Sequence, residues 1–173
     1  MPLRNTDTGW GWLARLLHWS MAVLILGLLG VGWYMVNIVG NSDLVLRYGL
    51  TQTHKSFGFV VFTLAVIRVL WRAANPAPAE PAGPPWEKAA ARGAHLLLYV
   101  LMFLLPLSGW LMASASPMND PGAFPFQVRN MVFGLFELPD PVAPGSKTVE
   151  AVFKTVHLGG AVALAGLLVI HTG

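Results

Sequence analysis

The chain has 173 residues, 55% of them hydrophobic and only 11% charged, with a formal net charge of +3 and a mean hydropathy of +0.59. A domain folded in water carries about 25% charged residues, so this composition excludes an ordinary soluble fold. The basic residues are scattered and no glycine-rich phosphate loop precedes a helix, which excludes nucleic acid as a partner and a nucleotide-binding fold.

Thr6-Asp7-Thr8 offers helix-capping side chains ahead of Trp10 and Trp12, an aromatic pair suited to a membrane interface. A first apolar helix is expected over about 13–39, because Leu16 to Ser42 lacks Asp, Glu, Lys and Arg. Arg4 and Arg15 ahead of an apolar core resemble a signal peptide. That core is too long, and no small-x-small cleavage site ends it, so it reads as a span. A polar turn with Asn41, Asp43 and Arg47 leads to a second helix over about 51–72. Its charge-free centre, Ser56 to Ile67, is short, and Lys55 and Arg68 flank it as snorkelling ends. Pro76, Pro78, Pro81, Pro84 and Pro85 mark an extended linker over 74–86.

A third helix is expected over about 93–115, with Pro106 as a kink. The connection 116–146 is long, carries the apolar run Met131-Val132-Phe133-Gly134-Leu135-Phe136, and is expected to lie partly in the membrane interface. A fourth helix starts near 148 and is still running at Gly173, with no polar cap and no basic tail. The sequence therefore reads as part of a longer chain. Charge-free runs of ~18 residues or more mark transmembrane helices. The expected fold is all-α: one transmembrane four-helix bundle over 1–173, in contact with membrane lipid. An even number of spans puts both termini on one side. Arg4, Arg15, Arg68, Arg72, Lys88 and Arg92 lie on that side, against Arg47, Lys55, Arg129, Lys147 and Lys154 on the other. Six against five favours cytoplasmic termini.

Histidines carry the chemistry. His18, His54, His95, His157 and His171 all fall on the spans, and with no cysteine any metal must be held by other ligands. The absence of cysteine excludes disulfides, iron–sulfur clusters, thiolate zinc and covalently attached haem. A lone membrane histidine is as well explained by a hydrogen bond to a neighbouring helix. Here the depths argue for more. His157 and His171 are separated by roughly 21 Å along one helix and lie within about 40° of one face. Antiparallel helices put His18 at the level of His171 and His54 at the level of His157. Facing histidines at two depths fit two bis-histidine haems in a bundle core, whereas a structural zinc needs four ligands at one depth. Gly27, Gly30, Gly58, Gly159 and Gly160 are small enough to admit a macrocycle, although glycines also serve close helix packing.

"LLHWSMAVLIL", "THKSFGF" followed by "VIRVLWR", "AHLLLYVLMFLLPLSGWLM" and "VHLGGAVALAGLLVIH" together resemble the bacterial cytochrome b561 family, four-helix di-haem b proteins of the inner membrane. The resemblance covers essentially the whole chain. It implies that His18 and His171 ligate the iron of a cytoplasmic-side haem b, and His54 and His157 that of a periplasmic-side haem b, both non-covalent. Family members normally continue past the last histidine with a basic tail. Electrons would pass between the two sides of the membrane, and in some similar proteins from superoxide to ubiquinone.

Arg68, fourteen residues after His54, is then placed to meet a propionate of the other haem, and Arg15 similarly; a snorkelling helix-end arginine looks the same in sequence. Lys55 and Lys154 flank the outer haem ligands and would steer a small anion, or merely anchor their helices. His95 is unpaired and would contact a propionate or a quinone carbonyl, substitute as a ligand, or make a plain buried hydrogen bond. Two electron-transfer functions follow: an oxidoreductase linking a periplasmic donor, small molecule or protein, to the quinone pool, and a cytochrome subunit relaying electrons for a partner dehydrogenase. A bundle without haem, structural or transporting, requires the matched histidine depths to be coincidence.

Overall fold

A computed structural model describes residues 2–40, 42–80, 82–120 and 129–172. Four helices dominate it: α1 (Trp12–Tyr34), α2 (Leu44–Ala74), α3 (Pro85–Ala115) and α4 (Lys147–Thr172). Each is long and apolar enough to cross a membrane. The expected four-span bundle is the fold. Of the long connection, residues 121–128 lie outside the described residues, as does Gly173.

The helix ends show where local chemistry overrode the apolar pattern. The expected cap at Thr6-Asp7-Thr8 does not form; Thr6 and Gly9 pair in a small turn, and α1 starts after Gly11 with no side-chain cap. The N-terminal segment folds back so closely that a Cβ at Gly11 would run into the Leu3 carbonyl. The last turn of the first span widens to a π-turn over Met35–Val39 and stops at Gly40, whose φ of 52° suits a residue without Cβ. Helix α2 begins well before the apolar stretch, because the Asp43 carboxylate accepts from Leu46 N at 2.9 Å. Arg47 is therefore helical rather than part of a turn. Helix α3 likewise starts at Pro85, a residue preset for the first helical position. Both helices have 31 residues, about 46 Å at the usual rise, which exceeds the ~30 Å hydrocarbon core.

Consecutive helices pack side by side, and α3 against α4 most extensively. All four contribute to one apolar cluster at mid-depth: Met21 and Ile25 from α1, Val61 and Ala65 from α2, Leu101 from α3 and Leu164 from α4. Leu164 lies seven residues from both His157 and His171, so this cluster separates the two histidine levels. Outward, Val23, Leu26, Val162, Val169 and Ile170 are largely exposed. A surface of that kind is stable against lipid and costly against water.

A two-stranded hairpin, β1 (Met131–Val132) and β2 (Phe136–Glu137), closes one end of the bundle. Its turn places Phe133 at φ 50° and Gly134 at φ 70°. A positive φ is strained for an aromatic residue, and Phe133 is held there from α2. Its N–H donates to Ser56 Oγ at 2.8 Å, and its ring meets Phe57 edge-on at 5.2 Å.

Candidate functional site

At one level, His54 of α2 and His157 of α4 face each other with ring centres 6.2 Å apart. His157 Nδ1 lies 2.9 Å from the Leu105 carbonyl and 3.2 Å from Ser108 Oγ, both on α3. A carbonyl only accepts, so Nδ1 carries the proton and Nε2 keeps its lone pair. That arrangement is the usual one for a metal-ligating histidine, whose other nitrogen is fixed by a carbonyl. His54 Nδ1 is buried with no hydrogen-bond partner among the described residues. Leaving a buried polar atom unpaired costs about 1–3 kcal/mol.

Glycine makes the ring positions. A Cβ at Gly109 would come within 3.1 Å of His157 Cε1, and one at Gly32 within 3.4 Å of His54 Cε1. These two, with Ser108, escaped the sequence reading. The signal was the small pair Ser108-Gly109 in an otherwise bulky span. Of the glycines singled out from sequence, Gly160 packs on Leu105 and Leu101 of α3, while a Cβ at Gly27, Gly30, Gly58 or Gly159 would meet nothing within 4 Å.

The hairpin covers this level. Lys55 Nζ donates to the Arg129 carbonyl at 2.8 Å and to Asn130 Oδ1 at 3.3 Å, and Gln52 Nε2 donates to the same carbonyl. Lys55 is thus tied to the connection between α3 and α4, while Lys154 is exposed. Asn130, 1% exposed, donates from Nδ2 to Ser114 Oγ and to Asp140 Oδ1. Asp140 also accepts from Asn119 Nδ2 at 2.7 Å. The apolar tip itself is open, with Leu135 80% exposed.

At the other level, His18 of α1 and His171 of α4 stand with ring centres 6.1 Å apart, and His95 of α3 lies 5.6 Å from His171. All three line a cavity of about 350 Å³, together with Arg15, Arg68 and Arg72. The depth relation expected between Arg68 and the distant histidine pair is therefore present. Arg68 Nε donates to Tyr99 OH at 3.2 Å, and the Arg72 guanidinium lies 5.9 Å from the Tyr99 ring centre. The N-terminal segment closes the end of the cavity: Asn5 donates to the Asn75 and Pro76 carbonyls and accepts from Gly11 N.

Residues 9–173 match the model of the family described as prokaryotic cytochrome b561. The chain is also 32% identical over 146 residues to cytochrome b561 homolog 2 of Escherichia coli (strain K12), an alignment spanning 83% of this chain and 70% of that relative. The chain belongs to the prokaryotic cytochrome b561 family. As a multi-pass membrane cytochrome b561 it serves electron transfer, and its family implies haem b. The donor set fits that group. Two imidazoles sharing one iron, each at about 2 Å through nitrogen, bring their ring centres to on the order of 6 Å apart, and both pairs meet that distance. Among the described residues no cluster of three or more His, Asp or Glu is arranged to hold a metal ion in another way.

Proposed function

We propose that this cytochrome b561 carries two haems b and passes electrons across the inner membrane, from a periplasmic donor to the quinone pool. His54 and His157 hold the outer haem iron, His18 and His171 the inner one, and both termini face the cytoplasm. The observation that carries this is the pair of imidazole separations, 6.2 and 6.1 Å, on one face of α4 about 21 Å apart. When bound, haem b supplies a reversible one-electron couple.

The protein's own residues do the rest. The Leu105 carbonyl orients His157 through Nδ1, with Ser108 packed beside the same nitrogen. The hairpin limits access of water to the outer level. The mid-depth cluster of Met21, Ile25, Val61, Ala65, Leu101 and Leu164 keeps the space between the levels apolar. Superoxide suits the outer side chemically: each anion leaves as dioxygen after giving up one electron. Ubiquinone takes two electrons and two protons at the inner side, where Arg15, Arg68 and His95 offer donors for a propionate or a quinone carbonyl. This assignment makes the protein an oxidoreductase in its own right.

The second reading, a cytochrome subunit relaying electrons for a partner protein, draws support from the exposed apolar tip around Leu135. One experiment tests the proposal and separates the two. Purified protein is reduced with dithionite, its haem-to-protein ratio is measured, and oxidised protein is mixed with superoxide in the presence of ubiquinone. Two low-spin haems per chain with superoxide-dependent quinone reduction support the oxidoreductase; two haems without it leave the relay.

A further inference from the structure

The inner cavity holds two hydrogen-bond donors that the mechanism above does not use fully. Arg68 and Trp71 lie three residues apart on α2 and so share a face, and both line the cavity beside His18 and His171. Tyr99 OH takes the Nε proton of Arg68, which fixes the guanidinium. Arg68 Nη1 is then buried with no partner among the described residues, and so is Trp71 Nε1. Each unpaired buried donor costs about 1–3 kcal/mol, and more when it is charged. Two such atoms on one face of one helix, on residues that line one cavity, mark a binding site.

Charge selects the ligand class. Arg15 and Arg72 also line the cavity, and among the described residues no Asp or Glu does. A neutral acceptor would satisfy the hydrogen bonds but leave the buried guanidinium charge of Arg68 without a counter-charge. A carboxylate satisfies both, and a guanidinium with a second N–H beside it is well shaped to receive two carboxylate oxygens.

We infer that Arg68 and Trp71 form a two-donor cradle for a carboxylate, supplied by a propionate of the inner haem. The inference rests on the two-haem reading and adds to it the indole of Trp71, which joins the arginine as a hydrogen-bonding partner, with Tyr99 as a positioning residue. The cradle contributes to retention and orientation of the haem, separately from its axial ligation by His18 and His171.

The test changes the ligand and the protein together. Full-length protein is loaded with haem b or with its dimethyl ester, in which the carboxylates are masked. Haem loss to excess apomyoglobin is then followed for the parent, Arg68→Gln and Trp71→Phe. The cradle predicts that Arg68→Gln speeds loss of one of the two haems b by roughly tenfold or more, the value of a charge-assisted hydrogen bond, and Trp71→Phe by a smaller factor. With the ester, parent and variants should lose haem at matching rates. Equal acceleration for haem b and ester, which a folding defect would produce, overturns the cradle. So does no acceleration with either. Failure of the two-haem reading looks different: the parent itself then holds fewer than two haems.

Discussion

His157 donates its Nδ1 proton to the Leu105 carbonyl at 2.9 Å, so α3, which contributes no histidine at this level, sets the tautomer and orientation of the ring. Ser108 is 2% exposed, and its Oγ lies 3.2 Å from the same nitrogen. The Gly109 backbone, one residue on, is flush with the ring. Gly109→Ala would press a methyl group to 3.1 Å from Cε1, and α3, packed along α4, has little room to retreat. Overpacking of this kind costs roughly 1–3 kcal/mol. The expected outcome is partial loss of one haem and an altered low-spin electron paramagnetic resonance signal from what remains. Ser108→Ala, which keeps the Leu105 bond, should leave haem content near that of the parent. A Gly109→Ala protein with parental haem content and signal would contradict this account of the ring.

The pairing itself is open to a direct test. His54→Ala and His157→Ala should remove the same haem, and His18→Ala and His171→Ala the other, as judged by reduced-minus-oxidised spectra and redox titration. All haem should be released by acid-acetone, because the chain has no cysteine to bind it covalently. Matching spectra from His54→Ala and His171→Ala would overturn the arrangement.

The hairpin anchor predicts a stability effect. Asn130 and Ser114 are buried, and Asn130 joins Ser114, Asp140 and Lys55 in one hydrogen-bond network. Asn130→Ala removes two donated hydrogen bonds and leaves Ser114 and Asp140 short of a donor. The expected cost is about 1–3 kcal/mol, read as a lower thermal midpoint in detergent together with faster proteolysis between α3 and α4. An unchanged midpoint and unchanged cleavage would show that the hairpin is held by its apolar contacts to Phe57 instead.

The four spans and the two histidine levels were legible because both follow from periodicity and rise along a helix, which the chain carries locally. Fourteen residues between His157 and His171 set both a depth and a face without reference to any neighbour. The partners of the rings were not legible. Leu105 reaches His157 through its backbone carbonyl, which no side-chain pattern reveals, and Gly109 matters only because a particular ring lies against it. Helix starts were misplaced for a related reason: Asp43 and Pro85 extend α2 and α3 beyond the apolar stretches, and capping is independent of hydropathy. The role of Lys55 turned on a long-range contact to Arg129, across 74 positions of sequence, so a helix-by-helix reading left it as either a steering charge or an anchor.

That contact changes how anion steering must be tested. Lys55→Gln would remove a charge and also two bonds to the hairpin, so a slower reaction could arise from either. Lys154 is exposed, one turn before His157 on α4, and its ammonium can be neutralised without touching the hairpin. If a positive field draws superoxide to the outer level, Lys154→Gln should slow haem reduction several-fold at low ionic strength, and the difference should fade as salt rises and the Debye length falls below about 10 Å. Lys55→Arg keeps the charge and should stay close to the parent in rate, whereas Lys55→Gln should lose both rate and hairpin protection. A neutral donor reduces the same haem without any field, so its rate should be indifferent to Lys154→Gln at every salt concentration. Stopped-flow reduction at two ionic strengths, with both haems verified spectrally beforehand, decides the matter: equal superoxide rates for Lys154→Gln and parent at low salt would leave that lysine as an interface anchor and nothing more.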